Sequence, residues 1–364
     1  MITLSLCMIV KNEEEVLGRC LASVADIADE IILVDTGSVD QTKEIAKQYQ
    51  VKIFDFPWCD DFSAARNFSF SKATCAYSMW LDADDVLLPE DRERLKQLKK
   101  TLSEDVDMVM LPYAAAVDAQ EKPTFVYDRE RIVKTGKFRW EGEVHEAIVP
   151  SGHVIYADVT VTHRKIKPAD GDRNLRIFEK KIALGKPLSA REKYYYAREL
   201  YYHGRFRDAA DMLIIFLQSG EGWRENEIDA FRVLYRCYQS MGKEEQGVYA
   251  LFATFSKDLP RAEVCCELGQ YFFNKGDYKK AIYWYETARK CDEPVHSGAF
   301  IEHEAYGYLP CIWLCVCYDR LGDYQTAKKY HVMAAEYHPD APEVKNNQEY
   351  FNRLQTSEEK EQII

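Results

Sequence analysis

A chain of 364 residues, 47% of them hydrophobic, is long enough to build two domains with separate cores. Its formal net charge of −12 excludes nucleic acid and anionic membrane surfaces as natural main partners, because an acidic surface is repelled by both. The 11 cysteines follow no CxxC spacing, and the apolar start, residues 1–10, is too short to span a bilayer. The expectation is therefore a cytoplasmic protein with reduced thiols and no membrane span.

Strand and helix signals alternate over the first 160 or so residues. Residues 4–10 form a near-continuous apolar run, the pattern of a strand buried on both faces, and stop at Lys11-Asn12-Glu13. A helix follows, with Val16, Leu17, Cys20, Leu21 and Val24 on one face. Residues 31–34 read as a second strand ending at Asp35. The turn 36–40 leads into a helix bearing Ile45, Ala46 and Tyr49. Residues 51–56 give a third strand, 61–73 a helix with Arg66 and Asn67, and 76–81 and 107–111 further strands. This alternation predicts a mainly parallel sheet joined by right-handed crossovers, with ligands bound beyond the carboxyl ends of the strands.

The stretch Met79-Trp80-Leu81-Asp82-Ala83-Asp84-Asp85 begins apolar and ends in three carboxylates. In extended backbone, Asp82 and Asp84 face one side together and Asp85 the other. Two such charges attract a cation, and an all-oxygen pair suits Mg²⁺ or Mn²⁺. The plainer alternative is a solvated acidic loop ahead of the helix that starts near Pro89. Asn12 with Glu13, Asp35, and Asp82 with Asp84 stand at three strand ends, which favours one shared site over three separate caps. No GxGxxG or GxxxxGK[ST] follows the first strand, which argues against dinucleotide binding and a P-loop.

Residues 124–162 change to short extended pieces, read as strands at 125–127, 131–134 and 153–162. Between them, Phe138-Arg139-Trp140-Glu141-Gly142-Glu143-Val144-His145-Glu146 concentrates a Trp, a His and three acids beside a Gly, and His163 follows the last strand. A charged, turn-rich linker at 165–174 separates this half from one that is wholly helical. There Gly204, Gly242, Gly276-Asp277-Tyr278 and Gly322-Asp323-Tyr324 recur at helical-repeat spacing, with the clearest copies at 268–288 and 314–339. Stacked helix pairs offer a concave surface for an extended polymer or peptide, or a scaffold for a homodimer. Cys311, Cys315 and Cys317 read as helix core rather than as a metal site.

Five ordered motifs carry a resemblance. Residues 5–13, 31–35 with Gly37-Ser38 and Asp40, Phe62-Ser63-Ala64-Ala65-Arg66-Asn67, Leu81-Asp82-Ala83-Asp84 and Gly142-Glu143-Val144-His145-Glu146 look like those of family 2 glycosyltransferases. The layout with a repeat tail is similar to the bacterial branch containing the sublancin S-glycosyltransferase. The resemblance implies a GT-A, Rossmann-like α/β catalytic domain at 1–168 and an all-α tetratricopeptide-like domain at 169–364, serving acceptor binding or dimerisation. It implies inverting, Mg²⁺- or Mn²⁺-dependent transfer from a nucleotide sugar, commonly a UDP-sugar, to a peptide or protein side chain (Cys or Ser/Thr). A cell-surface glycan is the alternative acceptor. By position, Asp82 and Asp84 match the DxD motif, with Asp84 on the metal and Asp82 near ribose, diphosphate or metal. Asn12, Glu13, Asp35 and Arg66 match nucleotide-sugar-binding positions, His145 and Glu146 the catalytic position, and His163 a late histidine on the metal or diphosphate. Two rivals remain. A sugar nucleotidyltransferase would share the sheet and metal but normally carries a Gly-rich basic loop where Lys11-Asn12-Glu13-Glu14 stands; a repeat adaptor would have lost the acids retained here.

Overall fold

The computed structural model describes residues 1–117, 123–166, 170–294, 297–299 and 301–361. The chain divides into two compact units, Met1–Tyr196 and Ala197–Ile364. The boundary expected at 168/169 lies outside the described residues, and the first unit continues through one further helix and into the next.

In chain order the first unit contains β1 (Leu4–Val10), α1 (Leu17–Val24), β2 (Glu30–Asp35), α2 (Thr42–Lys47), β3 (Lys52–Asp55), α3 (Phe62–Phe70), β4 (Tyr77–Trp80), β5 (Asp85–Leu87) and α4 (Pro89–Thr101). There follow β6 (Met108–Val117), β7 (Pro123–Lys134), β8 (Trp140–Glu141), β9 (Ala147–Ile148), β10 (Val154–Tyr156), β11 (Val161–His163), α5 (Arg173–Ala183) and α6 (Ala190–Tyr202). The main sheet runs β3-β2-β1-β4-β7-β6-β11-β5, with β10 also on β6. The β3-β2-β1-β4 half is parallel throughout, as the alternation of strands and helices requires; β7 enters antiparallel to both β4 and β6. One face packs Leu6, Met8, Leu33 and Val109 against Leu17 and Leu21 of α1 and Leu95 of α4. On another face Cys7, Ile32 and Val34 meet Phe68 and Phe70 of α3. Burying apolar side chains of this size is worth roughly 1.5–3 kcal/mol each, which fixes the strand ends that carry the polar residues.

Three local outcomes differ from the sequence pattern. Residues 125–127 and 131–134 belong to one strand, β7, because Glu130 and Arg131 are buried with charged partners and the ladder to β6 continues past them. Residues 153–162 split into β10 and β11, which pair with different stretches of β6. β5, hidden in the acidic stretch, pairs antiparallel with β11 and sets His163 opposite Asp85.

The second unit takes up α6 and adds α7 (Phe206–Ser219), α8 (Arg224–Ser240), α9 (Glu244–Ala253), α10 (Ala262–Asn274), α11 (Tyr278–Ala288), α12 (Tyr308–Arg320), α13 (Tyr324–Tyr337) and α14 (Pro342–Glu361). The recurring glycines mark the same inter-helix turn: Gly204, Gly242, Gly276 and Gly322 have φ of 72°, 70°, 74° and 79°, a left-handed conformation that a side chain disfavours. Asp277 and Asp323 cap the helices that follow, accepting from the backbone N–H groups of Lys280 and Thr326. Cys311, Cys315 and Cys317 are buried in the core with Tyr285 and Tyr330. Among the described residues no helix is long and apolar enough to cross a membrane.

Candidate active site

The ends of β1 and β2 are laced together. Asn12, at φ 57°, donates its N–H to Ser38 Oγ at 2.9 Å, and its Oδ1 accepts from Val39 N at 2.8 Å. Glu13 N donates to Thr42 Oγ1 at 2.7 Å. Asp35 is 1% exposed; its carboxylate accepts from Ser38 N at 3.1 Å and pairs with Lys43 Nζ at 3.2 Å. The sequence reason is the small, polar turn Thr36-Gly37-Ser38, which lets both loops approach the buried acid. Asn12, Glu13 and Asp35 thus build one rim, and the hydrogen bonds named here stay within it.

Arg66 organises the centre. Its place on α3 follows from Asp61, which caps that helix by accepting from Ala64 N at 2.9 Å. The guanidinium lies 4.8 Å from the ring centroids of both Trp80 and Trp140. Nη2 donates to Asp82 Oδ1 at 2.8 Å and Nε to Glu146 Oε1 at 2.6 Å, so one arginine joins the end of β4 to the loop between β8 and β9. Burial favours a neutral Asp82, but the charges of Arg66 and Arg131 and the Arg66 hydrogen bond win and hold its carboxyl at about 2. Burial likewise opposes the Arg66 charge, and Asp82 and Glu146 raise its pKa above the ordinary value.

Asp84, Asp85 and His163 bring one ligand atom each within 4.8 Å of one another. His163 Nδ1 lies 3.5 Å from Asp84 Oδ1 and 3.4 Å from Asp85 Oδ1. Burial is the main cause that raises the Asp84 pKa, with Asp82 and Asp85 adding repulsion that the nearby His163 partly offsets. The hydrogen bond to Asp85 raises the His163 pKa, burial opposes it, and the charge of Asp84 adds to the rise. Two carboxylates and an imidazole form an oxygen-rich set that fits Mg²⁺ or, with its nitrogen, Mn²⁺.

The alternation expected along residues 82–85 does not hold. The backbone turns at Ala83-Asp84, with Asp85 N donating to Asp82 O at 3.1 Å. Asp82 is thereby directed to Arg66, while Asp85 joins Asp84 at His163. Asp82, expected also near the metal, stands outside that trio. Asp85 is 0% exposed and pairs with Arg131 at 2.9 Å. Arg131, also fully buried, stacks 3.7 Å from the Trp80 ring centroid and 4.5 Å from that of Tyr113. The sequence pattern set Asp85 apart from Asp82 and Asp84 without giving it a role, and Arg131 was not singled out; it lies in the charged run Asp128-Arg129-Glu130-Arg131 of β7.

Glu146 and His145 sit in the β8–β9 loop. Asn67 on α3 fixes its base, exchanging two 2.9 Å hydrogen bonds with the backbone of Trp140, and Phe62 N donates to Glu143 O at 3.0 Å. Gly142 has φ 99°, and a Cβ there would meet Val144 O at 3.4 Å. His145 itself is left-handed at φ 54°. Its ring stacks on Tyr195 of α6 with centroids 4.2 Å apart and planes 15° apart.

Fold and site together define a GT-A-type α/β unit, with acids gathered at its strand ends, in a chain that continues into helical repeats. Residues 5–159 match the family described as glycosyl transferase family 2, and residues 262–294 match the tetratricopeptide repeat. The first unit thus contains a glycosyl transferase family 2 segment, and the second contains a tetratricopeptide-repeat segment. It is 28% identical over 232 residues to the SPbeta prophage-derived glycosyltransferase SunS of Bacillus subtilis, covering 58% of this chain and 52% of SunS. It is 30% identical over 160 residues to the lipopolysaccharide core biosynthesis glycosyltransferase LpsC of Rhizobium meliloti, covering 42% of this chain and 58% of LpsC. A TPR repeat-containing protein of Synechococcus elongatus is 51% identical over 90 residues, 25% of this chain and 22% of that protein. The chain thus spans little more than half the length of either glycosyltransferase and less of the third relative.

Proposed function

We propose that this protein is an inverting, divalent-metal-dependent glycosyltransferase that moves a sugar from a UDP-sugar to a Cys or Ser/Thr side chain of a peptide or protein. The observation that carries the reading is the pairing of two acidic groupings in a family 2 domain: Asp84, Asp85 and His163 on one side, Asp82 and Glu146 joined by Arg66 on the other. Asp84 and His163 would hold Mg²⁺ or Mn²⁺, with Asp85 fixed beneath them by Arg131. Bound there, the ion supplies Lewis-acid stabilisation of the departing diphosphate.

The protein's own groups do the rest. Asn12, Glu13 and Asp35 form the rim that receives the nucleotide, and Asp82, kept ionised by Arg66, faces the ribose and diphosphate. Glu146 is the base: it takes the proton from the acceptor S–H or O–H as that atom bonds to the anomeric carbon. The bond from that carbon to the diphosphate oxygen breaks on the opposite face, its electron pair leaves with the diphosphate, and the configuration inverts. The hydrogen bond from Arg66 Nε to Oε1 orients the Glu146 carboxylate, whereas the His145 ring is engaged with Tyr195; this supports Glu146 as base over its neighbour. The repeats are assigned the acceptor, with pairing of two copies as their alternative role.

A surface glycan is the second acceptor reading, favoured by the similarity to LpsC. The test is UDP release from a panel of UDP-sugars with Mn²⁺, followed by mass shifts on peptide and glycan acceptors. No UDP release from any donor sinks the transferase reading; a shift confined to glycans moves the acceptor.

A further inference from the structure

Helix α6 lies outside the segment 5–159 that matches the glycosyltransferase family, yet its first turns reach the loop that bears Glu146. Arg191 donates from Nε and Nη2 to the carbonyl oxygen of His145, at 3.2 and 3.1 Å. The same guanidinium sits 4.9 Å from the ring centroid of Tyr195, and that buried ring is the one stacked on His145. Lys181 of α5 ties the arrangement at a third point, 2.5 Å from Glu192 of α6 and 3.5 Å from Glu143 of the loop.

These contacts fall where the loop is strained. A non-glycine residue at φ 54° is held against its preference by roughly 1–2 kcal/mol, and His145 is the residue immediately before Glu146. Relaxation at His145 rotates the next peptide and carries the Glu146 carboxylate away from Arg66. We propose that Arg191 and Tyr195 are positioning residues: they hold His145 in its left-handed conformation and so aim Glu146 at the acceptor. The proposal rests on Glu146 being the base, and it makes the start of the helical half part of the catalytic machinery.

The test uses the full chain with Arg191→Met and Tyr195→Leu, beside the conservative Arg191→Lys and Tyr195→Phe. Hydrogen exchange of residues 142–148 is expected to quicken about tenfold or more in the first pair. UDP release from UDP-glucose, UDP-galactose and UDP-N-acetylglucosamine with Mn²⁺ is expected to lose about 10- to 100-fold in kcat, with donor KM within about twofold. Phenylalanine, which keeps the ring, is expected to restore most of what leucine loses. In a Glu146→Gln background the same changes add no further loss, because both act through one carboxylate. Unchanged exchange in both variants, or an equal kcat loss in that background, overturns the proposal. If wild type releases no UDP, the reading beneath it falls, and exchange alone decides whether the clamp exists. Should Arg191→Met fail to fold, Tyr195→Leu read against Tyr195→Phe carries the same test.

Discussion

Both units bury charge, but they balance it differently. In the helical unit, Arg232 meets Glu267 at 3.1 Å and Glu302 at 2.7 Å, and Arg236 meets Glu267 at 2.7 Å. Two guanidiniums face two carboxylates, and the network closes on itself. In the first unit, Asp82, Asp84, Asp85 and Glu146 face Arg66, Arg131 and the His163 imidazole, four carboxylates against two guanidiniums in these ion pairs, while the nearby Arg129 is paired with a fifth carboxylate, Glu130. A closed network supports a fold. An acidic surplus at strand ends suits a divalent cation and is expensive for stability alone.

The sharpest break in that contrast is Asp84→Ala. Removing a carboxylate from the surplus side is expected to lower Mn²⁺-dependent UDP release about 10³-fold or more and to weaken Mn²⁺-dependent UDP binding, with little loss of stability. Calorimetry showing unchanged Mn²⁺-dependent UDP affinity removes Asp84 from the site. Next, Glu146→Gln keeps the size and a hydrogen-bond acceptor for Arg66 but loses the base. A kcat loss of roughly 10²–10⁴-fold with retained donor affinity is expected; near-normal turnover reassigns the proton to His145 or to an acceptor that ionises unaided. On the balanced side, Arg232→Met leaves Glu267 and Glu302 short of a buried partner. Urea unfolding is expected to show destabilisation of about 2–3 kcal/mol, since Arg236 still pairs with Glu267 and Glu302 is half exposed, with donor binding intact, the reverse of Asp84→Ala.

The legible parts of the molecule were those set by short-range rules. The apolar runs of β1 and β2, the acids that end them and the glycine turns of the repeats each follow from residues within a few positions. The hidden parts depend on distant pairings. β5 is three residues long and shows itself only through its ladder with β11, which is what brings His163 to Asp85. Two-residue alternation misdirected Asp82 because a turn intervenes at Ala83-Asp84, and no local signal separates that turn from a strand end. The reach of the first unit to Tyr196 was equally hidden, since α5 and α6 look like the helices after them. A cut near 168 removes Lys181, Arg191 and Tyr195, so it tests the catalytic loop together with acceptor binding.

The smallest expected effect concerns a buried charge far from both groupings. Glu30, 8% exposed at the start of β2, pairs with Lys52 at 2.6 Å and accepts from Ser5 Oγ at 2.6 Å and Thr74 N at 2.9 Å. Burial would raise its pKa, but Lys52, Ser5 and Thr74 lower it to about 2, from an ordinary value of 4.5. A depressed carboxyl binds fewer protons in the folded state than in the unfolded one. Its contribution is therefore full above pH 4.5 and is lost as the pH falls toward 2. Lys52 is largely exposed, so solvent screens that pair and the total is at most about 2–3 kcal/mol. Glu30→Gln is expected to be less stable than wild type at pH 6 and to converge on it as the pH drops below 4.5, read by urea unfolding at stepped pH. Parallel pH curves for the two proteins would mean that the amide replaces the carboxylate fully, and that Glu30 stabilises β2 by hydrogen bonding rather than by charge.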